Sequence, residues 1–98
     1  MRIAELAPLL DKVHLLRASA STRDIAKFVE DLAMRANTPS MGQSACDEII
    51  TMCHPKAWGD RQVEGFGAGW AAWHRYLDEL SELAEQCGQA IYDNSNRS

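Results

Sequence analysis

Apolar residues recur at alternating steps of three and four from Val63 to Ile91: Val63, Phe66, Trp70, Trp73, Leu77, Leu80, Ala84, Cys87 and Ile91. A step averaging 3.5 residues puts them on one side of a helix, as a seam that packs on other helices. The pattern predicts a long C-terminal helix that begins between Asp60 and Ala68 and runs to about Asp93. With Trp70, Leu77, Ala84 and Ile91 as a positions and Trp73, Leu80 and Cys87 as d, the g positions Tyr76, Leu83 and Ala90 are also largely apolar. A face three positions wide suits a helix lying across several others better than a two-stranded seam. At about 1.5 Å per residue such a helix exceeds 35 Å, long enough for part of its stripe to pair with a second copy of the chain.

Shorter amphipathic stretches precede it. Ile3, Leu6, Leu10 and Val13, widened by Leu9 and Leu16, mark a first helix over roughly residues 3–18. Pro8 belongs near its start or at a kink, and we expect the start a few residues upstream of it. Ser21 or Thr22 is the expected cap of a second helix with Ile25, Phe28, Val29, Leu32 and Ala36 on its apolar face, stopped by Asn37 and Pro39. Ser40 with Gln43 reads as a capping box for a third helix from about Met41 to His54, buried through Ala45, Cys46, Ile49, Ile50 and Cys53 and ended by Pro55. The expected fold is therefore all-α: a small four-helix bundle of three shorter helices on one long C-terminal helix. Residues 1–93 form a single domain and the polar residues 94–98 a frayed tail.

Composition narrows the class. Hydrophobic residues make up 46% of the 98 and charged residues 24%, values of a chain that buries a core rather than one that stays disordered. The net charge of -4 disfavours general binding to nucleic-acid phosphates. Three cysteines are too few, and odd in number, for a disulfide framework, so reduced thiols in the cytoplasm are expected. Neither a secretory leader nor a membrane span is apparent.

Chemical signatures are weak. Gly65-Phe66-Gly67-Ala68-Gly69 resembles a phosphate loop only in part, since Trp70 stands where a glycine is needed, no strand precedes it and the Walker lysine is absent; no cofactor is expected. Those glycines each weaken a helix by roughly 1 kcal/mol, so whether 65–69 is helix or loop stays open. Cys46 and Cys53 lie two turns apart, about 10 Å, too far to share one ion, and with Cys87 they fall on apolar stripes; no metal site is expected. His14 and His74 could serve as bases for a thiol, but no elbow or oxyanion motif accompanies them, and the chain is not expected to be an enzyme.

Two features suggest partner binding instead. Between Arg75 and Arg97 the only charged residues are acidic, and Asp78, Glu79, Glu82 and Glu85 fall on the solvent face of the long helix, where they could dock on a basic surface. Trp58, in a loop outside the stripe, is the candidate exposed anchor, with the end of the bundle as its alternative seat. The expected function is a small non-enzymatic inhibitor or adaptor, of the kind carried by phages or mobile elements, acting on a larger protein with a basic surface. A rival is a homodimeric DNA-binding regulator, because Ser21–Val29 resembles the first helix of a helix-turn-helix unit. The next helix, however, carries Asp47 and Glu48 and no Lys or Arg, which suits phosphates poorly. A second rival is a structural subunit that self-associates through the long helix.

Overall fold

The computed structural model describes residues 4–54, 56–60 and 70–95, apart from the side chain of Trp70. Among them the fold is all-α: α1 (Ala7–His14), α2 (Arg23–Arg35), α3 (Pro39–Met52) and α4 (Trp70–Ser95), with 3-10 turns at Ala4–Leu6, Leu15–Ala18 and Trp58–Asp60. The expected positions Ile3, Val63, Phe66 and Pro55, and the glycines 65–69, lie outside the described residues.

The first expected helix is broken into three pieces for a local reason. Pro8 sits in the first turn of α1, where its missing N–H would have no intrahelical partner, and a 3-10 turn rather than α-helix leads into it. A second 3-10 turn follows, and Ser19 is extended. Leu6, Leu9, Val13 and Leu16 form the buried stripe, with Leu10 half-buried at its edge.

Thr22 precedes α2 but makes no side-chain cap. Its fully buried hydroxyl donates instead to the Leu16 carbonyl at 2.8 Å, tying α2 to the end of the first segment. The helix then buries Ile25, Ala26, Val29 and Ala33. The third helix starts earlier than the expected Ser40–Gln43 box. Thr38 is extended, its Oγ1 accepts from the Met41 N–H at 3.2 Å, and Pro39 occupies the first turn. Pro39 therefore opens α3 rather than merely ending α2, because a fixed φ and an absent N–H suit a first helical position.

α4 has 26 residues and buries Trp73, Tyr76, Leu77, Leu80, Ala84, Cys87 and Ile91. It continues through Ser95, two residues past the expected end, and Asn94 donates to Glu5 Oε2 at 3.0 Å. Its most extensive packing is against α3; α1 lies on it as well, whereas α2 rests mainly on α1, on the 3-10 turn after α1 and on α3. The α3–α4 approach is close. A Cβ added at Gly88 would stand 3.5 Å from Cys46 Cβ. No described helix is long and apolar enough to cross a membrane.

Candidate interaction surface

Trp58 is not an exposed anchor. It is 5% exposed and belongs to the core. The turn Trp58–Asp60 is held on the start of α4 by two adjacent side chains: Trp73 Nε1 donates to the Trp58 carbonyl, and His74 Nε2 donates to the Gly59 carbonyl, both at 2.8 Å. The indole meets the ring of Phe28 edge-on, with centroids 5.4 Å apart. Of the two seats open to a loop tryptophan, burial prevails because Phe28 offers an aromatic wall and Trp73 satisfies the turn's backbone.

The four expected docking acids of α4, Asp78, Glu79, Glu82 and Glu85, are all exposed, but they do different things. Glu79 accepts an ion pair from Lys12 Nζ at 2.9 Å. Lys12 is further fixed 5.0 Å above the Tyr76 ring, and the Tyr76 hydroxyl donates to the Lys12 carbonyl at 2.8 Å. Glu79 thus contributes to joining α1 and α4. Asp78, Glu82 and Glu85 span about 60° of the helical wheel, and none has an ion-pair partner among the described residues. Asp78 lies toward α3, where its charge bears on Cys53.

Asp47 and Glu48 are the only charged residues of α3, and both are exposed, Asp47 toward α4 and Glu48 toward α2. Asp47 and Glu85 border a groove of about 420 Å³ between α3 and α4 whose lining includes Ile50 and Ala84, with the 52%-exposed Tyr92 at its wall. This groove had no counterpart in the sequence reading. Its signal was Gly88, the glycine inside an otherwise regular helix, since such a glycine marks close approach of a neighbour.

The thiols offer little reactivity. Cys46, Cys53 and Cys87 are free and buried. Burial, more than the nearby Cys87 and Asp47, pushes the Cys46 thiol up to about 12. Burial followed by the Asp78 charge brings Cys53 to about 12, and burial followed by Glu5 raises Cys87. Thiols held this far above neutrality stay protonated, and a protonated thiol is neither nucleophile nor metal ligand. Among the described residues no three His, Cys, Asp or Glu side chains gather in metal-binding geometry. His14 is exposed on α1 beside a recess lined by Arg17 and Glu30, which pair with each other.

α2, which the DNA-binding rival would use together with α3, exposes the basic side chains Arg23, Lys27 and Arg35. Arg23 Nε donates to the Arg17 carbonyl at 3.4 Å, and Arg35 Nε to the Asp31 carbonyl at 3.2 Å. α3, which would be the recognition helix, presents carboxylates. Comparison with models of protein families, with curated proteins and with solved structures finds no match to this chain.

Proposed function

We propose that the chain is a small four-helix bundle, acting in the cytoplasm as a non-enzymatic inhibitor or adaptor that docks on a larger, basic protein through the acidic face of α4. One observation carries this reading. Every charged residue of α3, and every charged residue of α4 after Arg75, is a carboxylate, and Asp78, Glu82 and Glu85 are exposed with no ion-pair partner among the described residues. Asp78 and Glu82, and Glu82 and Glu85, are spaced four and three apart, so each pair repels along the helix. Charges that repel along the helix and pair with no described residue fit an external, basic counterpart, which they would also steer toward encounter. Glu79 belongs to this face but is engaged by Lys12.

The test is affinity capture from nuclease-treated source-cell lysate, with wild type beside a variant carrying lysine at Asp78, Glu82 and Glu85. A stoichiometric protein bound by wild type, and weakened at least ~10-fold by the triple change, is the expected result. Equal capture by both proteins refutes charge docking. A signal that disappears with nuclease, and that alanine at Arg23, Lys27 and Arg35 abolishes, moves the assignment to DNA binding. A concentration-dependent mass without any partner moves it to self-association through α4.

A further inference from the structure

The geometry points to the α3–α4 groove as the seat of a basic amphipathic helix of the partner, one bearing Lys or Arg beside a large apolar side chain. This assignment rests on the docking reading above and adds where the partner sits and what chemistry it presents.

Cys46, Ile50 and Ala84 give the groove apolar lining beside the polar Gln43 and Gln89, and Gly88, without a side chain, leaves it open next to Cys46. Tyr92 supplies a half-exposed aromatic wall, a residue type favoured as a contact at protein interfaces. The rims are Asp47 from α3 and Glu85 from α4, neither ion-paired among the described residues. A mixed trough, with apolar contacts between two carboxylates, matches a helix that sets apolar side chains against Ile50, Ala84 and Tyr92 and its cations on Asp47 and Glu85.

Charge separates this groove from three others between helix pairs; in the α1–α4 recess beside Glu82, Lys12 contributes a cation paired with Glu79. The α2–α3 groove, floored by Leu32, Ala36 and Ala45, has one base and one acid at its edge, Arg35 and Glu48, and so selects no sign of partner. In the α1–α2 recess, Asp11, Glu30 and Asp31 stand around Arg17, which pairs with Glu30, so that lining presents both signs of charge. Because Trp58 is buried, an apolar contact to complement the acids has to come from elsewhere, and the α3–α4 groove lies beside Glu85.

Three synthetic peptides test the assignment by amide chemical shifts on the full chain: a leucine–lysine peptide patterned as an amphipathic helix, oligolysine, and a leucine–glutamate peptide of the same pattern. The leucine–lysine peptide is expected to shift Ile50, Ala84, Gly88 and Tyr92. Its affinity should fall about 5-fold with Tyr92→Ala and about 10-fold with lysine at both Asp47 and Glu85. Both changes are at exposed positions, and circular dichroism confirms the fold of each variant. Equal binding by oligolysine, equal binding by the leucine–glutamate peptide, or shifts confined to the α2–α3 groove overturns the assignment. If the captured partner is released by lysine at Asp78, Glu82 and Glu85 but held by Tyr92→Ala, the docking reading survives and the groove falls. If the triple change releases nothing, the docking reading itself has failed.

Discussion

The α1–α2 side and the α3–α4 side are held together in different ways. On the first, Glu5, Asp11, Asp24, Glu30 and Asp31 are matched by Lys12, Arg17, Arg23, Lys27 and Arg35, and charge is used inside the fold. Arg17 pairs with Glu30, Lys12 pairs with Glu79 of α4, and two hydroxyls are aimed at backbone carbonyls, Thr22 at Leu16 and Tyr76 at Lys12. On the second, the helices meet through small and apolar residues, with Gly88 against Cys46, and no ion pair crosses between them among the described residues. Asp47, Glu48, Asp78, Glu82 and Glu85 are exposed there with no ion pair among the described residues. Where charge builds the fold, its presence needs no further reason; where it opposes the fold, a reason outside the chain is the natural place to look.

Alkali should break this contrast most completely, because all three thiols lie at the α3–α4 side. A thiol released by unfolding titrates near its usual 9.0, whereas folded Cys46 and Cys53 hold their protons to about 12. Folded values raised above unfolded ones mean stability that is fully present below pH 9 and is lost as pH climbs toward 12. The raised, buried Tyr76 hydroxyl acts in the same direction at still higher pH. Melting temperatures followed across this range should fall, and replacing Cys46 and Cys53 with alanine should flatten the slope. An unchanged slope would mean that the α3–α4 thiols are not what alkali attacks.

Trp58→Ala comes next. Truncating a buried tryptophan of this kind costs about 3–5 kcal/mol, so denaturant melts should show a large loss of stability whether or not a partner is present. A loss of binding at full stability would instead restore Trp58 as a surface anchor.

The alternation from Trp73 to Ile91 and the stripe of α2 were legible because helical periodicity is a local property of sequence. Every described a and d position of α4 is buried. Trp58 was not legible, because its place depends on Phe28 and Trp73, which come from separate parts of the chain. The caps are legible only in part for a related reason: Thr22 stands at the N-cap of α2 without a side-chain cap bond, and Thr38 rather than Ser40 caps α3. A hydroxyl before a helix can bond forward, as Thr38 does to Met41, or backward, as Thr22 does to Leu16, and spacing alone does not choose between them. The acids could be placed on the solvent face from the heptad, but the division of Glu79 from Glu82 and Glu85 required knowing where Lys12 lies. The groove required knowing how α3 and α4 sit side by side.

Thr22→Val keeps the shape of the side chain and removes the donor to the buried Leu16 carbonyl. A loss of about 1–3 kcal/mol is expected, read as a lower denaturation midpoint at unchanged slope. A neutral result would mean that the α1–α2 connection is held by packing alone, and the contrast between polar ties on one side and apolar approach on the other would weaken.

The smallest effects carry opposite signs and test the contrast most sharply. Lys12→Ala removes an exposed ion pair and a cation above the Tyr76 ring, so it should destabilise by about 0.5–1 kcal/mol. Glu82→Lys should do the reverse. It converts the repulsions with Asp78 and Glu85 into attractions at helical spacing, each a change of a few tenths of a kcal/mol, for a gain near ~0.5 kcal/mol. Added salt should shrink that gain, since screening already relieves the repulsion in the wild type. The same substitution should weaken capture of a basic partner, so stability and binding would move apart. If Glu82→Lys stabilises the chain and leaves capture intact, the acids of α4 oppose the fold without serving a partner.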